Sequence, residues 1–550
     1  MQTFSRILFS AILGSSLLLI CGCSGNQKKS TAEEDGQQLF IGENIAVANT
    51  QYGKVRGYIL HNLYQFKGIP YGANTTGKNR FMPPQEPEPW DGVRLALNYG
   101  DMAPQAIIYD RSPESAAGFV DNWNFFNSSE DCLRLNVWTP GLDAKKRPVL
   151  VYFHGGGFFN GNAIEQDGYS GEGLASYGDV VVCSVNHRLN AFGFTDLAKV
   201  GGEKYAHSGN VGILDLIAAL KWVHNNISNF GGDPGNVTIM GQSGGGSKVS
   251  IVAAMPAAKG LVHKAVALSG NSIRAADKEQ AEALGEFVLK EAGLKPSEID
   301  KLQEMPWEEY YELANAAAAK FNKQRGGRGR GGFSPVGDGL DIPAGTFFDP
   351  ADESIPNIPM IYCSVKHEGN PNRNNPELEN VTLDDVVERM TPNYGEHARE
   401  VVEAYAKTFP ECRPIEIWAL LTGVRTNIVR SANTKYQQGA PVYVAWFGWQ
   451  PPLFDGRLRS FHCLDICFWL HNTDIMLTHT GGGARPRALS DKMSDALVAF
   501  MRTGDPNCKS LPAWPKYTPE KGEVMVLDDT CVAMNDPDRP ARQVIENLNR

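Results

Sequence analysis

The chain has 550 residues, a formal net charge of −10 at pH 7, and 42% hydrophobic against 21% charged residues. This balance excludes a disordered chain, and a pI near 5.7 excludes a general nucleic-acid binder. The one Gly/Arg-rich stretch, Arg325 to Gly332, is short and solitary and reads as a surface loop.

At the N-terminus Arg6 precedes an apolar run from Ile7 to Ile20, as long as a signal-peptide core and too short to span a bilayer comfortably. The run ends Leu19-Ile20-Cys21-Gly22-Cys23, which resembles a bacterial lipobox with Cys23 as the lipid-modified residue. Residues 1–22 are therefore expected to be a lipoprotein-type signal peptide, 23–44 a polar tether and 45–550 a single domain. The expected localisation is that of an exported bacterial lipoprotein, anchored at the periplasm or cell surface. The remaining cysteines are sparse, and export permits disulfides without fixing their pairing. No Cys-x-x-Cys or His-x-x-x-His spacing occurs, so neither metal nor cofactor is expected.

From Ile45 to Gly57 the pattern suggests a small β-structure, followed by Pro-rich chain around Arg80-Phe-Met-Pro-Pro84. Apolar runs at Val149–Phe153, Val180–Val185, Val237–Met240, Ala265–Leu268, Met360–Ser364 and Val442–Trp446 read as buried strands. Leu214, Ile217, Leu220 and Val223 recur at helical spacing. Strands alternating with helices imply an α/β fold with a large, mostly parallel central sheet flanked by helices. Residues 275–335 and 385–435 read as helical insertions that border the site.

Two glycine motifs carry chemistry. Gly241-Gln-Ser-Gly-Gly245 follows the Val237–Met240 strand and precedes a helix predicted over Ser247–Ala254. Strand, tight turn and helix is the context of a nucleophile elbow, with Ser243 raised above the sheet and the Gly244 N–H placed as an oxyanion donor. Upstream, Tyr152-Phe-His-Gly-Gly-Gly-Phe158 runs from a strand into glycines. Their N–H groups, those of Gly156 and Gly157 above all, can crowd around one developing negative charge.

With both motifs in order, the chain resembles the type-B carboxylesterase and cholinesterase family of α/β-hydrolases from about Ile45 to near Leu527. Ser129-Glu-Asp-Cys-Leu-Arg-Leu-Asn-Val137 resembles one family signature, and the elbow sits inside another. Phe66-Lys-Gly-Ile-Pro-Tyr71, Gly209-Asn-Val-Gly-Ile-Leu-Asp215 and Phe230-Gly-Gly-Asp-Pro234 match further segments. The resemblance implies the acid at Glu368, in Ser364-Val-Lys-His-Glu-Gly369, and the base at His462, in Phe461-His-Cys-Leu-Asp465. His397, His471 and His479 also satisfy the order Ser, acid, His, but lie outside that segment. A serine carboxylic-ester hydrolase follows, acting through an acyl-enzyme on Ser243. Its substrate is a small-molecule or glycan-borne ester, and no nucleic-acid partner is expected.

Three departures from the family stand out. Gln242 replaces the usual Glu before the nucleophile, so one negative charge is missing. Gly244 stands where Ala or Gly is tolerated, and is expected to be a mild change. Ala103-Pro-Gln105 stands where a Cys-x-Gln is common, which leaves Cys132 as an expected free, buried thiol beside the loop Asp110–Ser128. Trp123, Phe125, Phe126, Phe158 and Phe159 are candidates to line the gorge, with core packing the alternative for each. An esterase for acyl groups on polysaccharide is a second reading, and a non-catalytic, adhesion-type relative is a third. Acetylcholinesterase activity is not expected, because no residues single out a quaternary-ammonium cage.

Overall fold

β-Branched and aromatic residues give the chain its strands. In order these are β1 (Leu39–Phe40), β2 (Val47–Thr50), β3 (Gly53–Arg56), β4 (Tyr58–Leu60) and β5 (Leu63–Pro70). Then come β6 (Val93–Leu95), β7 (Arg134–Thr139), β8 (Arg147–Phe153), β9 (Val181–Val185) and β10 (Gly232–Gln242). The last five are β11 (Lys264–Leu268), β12 (Met360–Val365), β13 (Val442–Phe447), β14 (Glu523–Leu527) and β15 (Val532–Asn535). The computed structural model describes residues 36–106, 124, 126–270, 272–326, 332–370 and 375–548. Cys23, the signal peptide, most of the tether, Trp123, Phe125, and most of Asp110–Ser128 and Arg325–Gly332 lie outside the described residues.

Twelve strands form one sheet in the order β1-β4-β5-β7-β9-β8-β10-β11-β12-β13-β14-β15, and β2, β3 and β6 form a small second sheet. From β9 to β14 every pairing is parallel. The flanking pairs are antiparallel. Side chains alternate between the two faces: Val151, Ile239 and Ala265 join one buried core, and Leu150, Met240 and Val266 the other. Covered on both faces, the parallel strands lose the apolar–polar alternation of a solvated sheet and read as continuous apolar runs. The predicted α/β-hydrolase fold is the observed one.

The structure shortens the tether read from the sequence. Leu39–Phe40 pair with β4 at the sheet's edge, so the chain joins the fold before residue 45. The helix-rich insertions resolve as Lys278–Glu291 and Trp307–Gln324, then Leu383–Tyr394, Ala398–Thr408, Pro414–Leu421 and Arg425–Tyr436. Glu130, in one of the family signatures, has a structural part. Its carboxylate takes Arg80 in two parallel bonds, Nε at 2.7 Å and Nη2 at 2.6 Å, with both residues buried. Among the described residues no helix is long and apolar enough to cross a membrane.

Candidate active site

β10 lies mid-sheet and delivers its C-terminal end to the edge where open α/β sheets bind ligands. There the chain reverses into the helix Gly244–Ala253 through Ser243, with φ 58° and ψ −124°. That conformation is rarely held by an L-residue. The surroundings impose it: Ser243 N–H donates to Leu268 O at 2.8 Å, and Ser247 N–H to Ser243 O at 3.1 Å. A Cβ on Gly241 would lie 2.5 Å from the Gly245 carbonyl carbon, and one on Gly245 would lie 2.1 Å from Phe153 O. Glycine at both positions lets strand, helix and β8 close together. The helix starts at Gly244 rather than Ser247, because this tertiary approach overrides the poor helix propensity of its first glycines.

The carboxylate and imidazole arrive from neighbouring strand ends. Glu368 follows β12, and its Oε1 accepts the Val365 N–H at 3.1 Å. His462 follows β13, and its Nδ1 meets Glu368 Oε2 at 2.5 Å. The two loops are tied together: His367 N–H donates to Ser460 O at 3.1 Å, and Asn370 Nδ2 donates to Arg457 O and Leu458 O, each at 2.8 Å. Burial works against a charged imidazole, but the Cys463 sulfur and the Glu368 carboxylate outweigh it and hold His462 well above the usual histidine value. Ser243 is half-buried, and its hydroxyl bonds no described residue; such nucleophile contacts commonly tighten only when substrate binds. The other three histidines stay apart from this cluster. His397 faces Glu400, His471 bonds Asp491, and His479 packs against Phe461.

Gln242 faces the site. It is fully buried, its Nε2 lies 3.4 Å from both ring nitrogens of His462, and its Oε1 accepts the Cys463 thiol at 3.2 Å. Beneath them sits Asp465, also fully buried. Burial, and then the Glu368 carboxylate, push its carboxyl up to about 7. Asp465 Oδ2 accepts Trp469 Nε1 at 3.3 Å and Cys363 Sγ at 3.7 Å. Cys463 itself has φ 79°, so backbone strain stands on both sides of the site.

The glycine run after β8 turns tightly, with φ 79° at Gly156 and 65° at Gly157. Gly156 O accepts Phe159 N–H at 3.3 Å and Asn160 N–H at 3.2 Å. This fixes the peptide whose other end is the Gly157 N–H. Among the described residues no protein group accepts the N–H of Gly156, Gly157 or Gly244, which leaves all three for an anion. The expectation that Gly244 is a mild change is corrected here. A Cβ at 244 would lie 2.2 Å from Gly157 O and 2.4 Å from Gly157 Cα, because the loop sits directly on the first residue of the helix.

Phe158 packs edge-on against Phe194 with centroids 5.8 Å apart, and Phe126 against Tyr99 at 5.7 Å. A cavity of about 980 Å³ runs beside Phe158, past Ile251 and Ser272 to Arg274 and Pro335. Cys132 is fully buried and free of any disulfide among the described residues. Sequence reasoning missed Asp465 and Lys248. A lone acid three residues after His462 carries no local signal. Lys248 did leave one, as the lone charge in a helix of small and apolar residues of which all but Ser247 are buried.

A sequence profile of the carboxylesterase family matches residues 44–543. Para-nitrobenzyl esterase of Bacillus subtilis (strain 168) is 33% identical over 513 residues, covering 90% of this chain and 98% of its own. Phenmedipham hydrolase of Pseudarthrobacter oxydans is 31% identical over 499 residues, covering 88% and 95%. An esterase structure from Clostridium hathewayi superposes with a TM-score of 0.78 at 33% identity, over 93% of this chain and 100% of that one. The chain belongs to the carboxylesterase family and is a carboxylic ester hydrolase.

Proposed function

We propose that ester cleavage runs through an acyl-enzyme on Ser243, with His462 as base and Glu368 as the acid that orients it. The 2.5 Å contact between His462 Nδ1 and Glu368 Oε2 carries this reading, since it leaves Nε2 as the nitrogen that takes the serine proton. Ser243 Oγ attacks the ester carbonyl as His462 accepts its proton. Glu368 stabilises the imidazolium and stays ionised. The N–H groups of Gly156, Gly157 and Gly244 hold the tetrahedral oxyanion, where one donor is worth about 3–4 kcal/mol. His462 returns the proton to the leaving alcohol, then activates a water that releases the acid. No step calls for a cofactor.

The Clostridium hathewayi esterase is described as hydrolysing aliphatic aromatic polyesters, so aryl esters belong in the substrate panel. The test is hydrolysis of p-nitrophenyl esters from acetate to long acyl chains by the full-length protein, with Ser243→Ala beside it. The variant is expected to lose about four to six orders of magnitude in kcat; an equally active Ser243→Ala sinks the mechanism. Acetylated polysaccharide in the same assay decides the glycan reading, which rests on expected export alone. Export and lipid anchoring at Cys23 are likewise proposals, tested by incorporation of labelled palmitate into wild type and its loss in Cys23→Ala.

A further inference from the structure

We infer that Lys248 is a positioning residue for the oxyanion loop, holding from below the peptide groups that present its N–H donors. The inference rests on the hole proposed above. Lys248 stands on the helix that Ser243 initiates and is completely buried. Its Nζ donates to His154 O at 3.0 Å and reaches Gly155 O at 3.5 Å. The His154 ring reinforces it, with Nδ1 3.0 Å from the same Gly155 oxygen. Each carbonyl belongs to the peptide whose far end is the next residue's N–H. Anchoring Gly155 O from inside the protein therefore points the Gly156 N–H the other way, towards the elbow.

A run of glycines needs such an anchor, because a peptide between glycines rotates at little steric cost. The two halves of the turn are held by different means. Gly156 O, which sets the Gly157 N–H, is taken by the backbone of Phe159 and Asn160. Among the described residues Gly155 O, which sets the Gly156 N–H, has only side chains, Lys248 and His154. Buried cations are expensive, and this one faces two histidines, His154 and His187, stacked 5.0 Å apart. Burial, with the Lys248 charge next, drives both rings well below the usual histidine value, so they stay neutral. Burial brings Lys248 itself down to about 7, and the Glu165 carboxylate opposes that fall. Charged or neutral, the amine keeps its N–H donors, and so the anchor survives across the working pH range. The tight seat of Gly157 on Gly244 is the other half of the arrangement: the loop is drawn onto the helix that carries both Gly244 and Lys248.

The test uses full-length Lys248→Met and Lys248→Gln, each checked for a cooperative thermal transition. Methionine removes the donors at nearly constant length; glutamine restores an N–H donor group on a shorter side chain. We expect kcat on p-nitrophenyl butyrate to fall about ten- to hundredfold in the Met variant, with partial recovery in Gln. KM should stay within about twofold. Affinity for a trifluoromethyl ketone, which forms a tetrahedral adduct on serine, should fall by the same factor as kcat/KM. A purely structural lysine would not separate kcat from KM in this way. Unchanged kcat in a folded Met variant, or a rise in its KM with kcat retained, overturns the inference. Should Met not fold, Lys248→Leu, which also lacks a donor, decides by the same criteria. Inactive wild type would sink the proposed mechanism itself, whereas active wild type with an equally active Lys248→Met sinks this inference alone.

Discussion

Adding one methyl group at residue 244 tests how the oxyanion loop is seated. A Cβ there would lie 2.4 Å from Gly157 Cα and 2.2 Å from Gly157 O. Ordinary carbon contacts begin at about 3.5 Å, so the loop must retreat by about 1 Å. It has little freedom to do so by a local twist, because Gly156 O is bonded to Phe159 and Asn160 and Gly155 O to Lys248. The displacement falls on the N–H groups of Gly156 and Gly157. A 1 Å misplacement of a positioned group costs about 10²-fold in rate, close to the loss of one oxyanion donor. Gly244→Ala is therefore expected to lose about 10²-fold in kcat on p-nitrophenyl butyrate, with KM within about threefold of wild type. Steady-state kinetics at one pH suffice, with a thermal melt to show that the fold persists. A kcat within about threefold of wild type would refute the reasoning. It would mean either that the loop yields freely or that its N–H groups do not hold the oxyanion. A chain with alanine at this position must seat its loop farther out.

Other changes probe the electrostatics and the frame. Because His462 is held well above the usual value of 6.5 by Cys463 and Glu368, it becomes a free base only at higher pH; kcat/KM should rise with pH, and a half-point at or below 6.5 would mean that these neighbours do not outweigh its burial. Gln242→Glu places a carboxylate against the same ring and should move that half-point further up; an unchanged profile would show that Gln242 does not act on His462. Glu130→Ala strands the buried Arg80 guanidinium and should cost about 3–5 kcal/mol by urea unfolding, while a change below about 1 kcal/mol would mean that the pair is dispensable. Dialysis against EDTA should leave kcat unaltered, since every proposed step uses side chains and backbone N–H groups.

Legibility followed the range of the interactions. Gly241, Ser243 and Gly245 were readable because a tight turn between strand and helix constrains residues next to one another in sequence. The buried strands were readable because parallel strands covered on both faces are apolar throughout. Glu368 and His462 lie on loops 94 residues apart, and only family resemblance could join them; spacing alone left four histidines open. Gly244 was misjudged for the same reason. Its neighbour in space is Gly157, and no pattern around residue 244 reports that distance. Asp465 and Lys248 owe their unusual ionisation to burial, which depends on the closed fold rather than on adjacent residues.

Asp465 turns that burial into a measurable dependence on pH. Its carboxyl is raised from 3.8 to about 7 by burial and then by Glu368. Between these values the unfolded chain has released the proton while the native protein still binds it, so this residue makes stability fall as pH rises. Three pH units at 1.4 kcal/mol each amount to about 4 kcal/mol, nearly all lost between pH 4 and 7. The Asp465→Asn variant carries no such dependence, because an amide does not titrate in this range. Any misfit of that amide beside Trp469 and Cys363 is a constant penalty at every pH. The discriminating quantity is thus the change in the stability difference between Asp465→Asn and wild type, measured by urea unfolding at pH 4 and pH 8. It should shift in favour of the variant by about 4 kcal/mol across that range. A difference that stays constant would mean that Asp465 ionises near its ordinary value, and that the floor of the site is wetter than its burial implies.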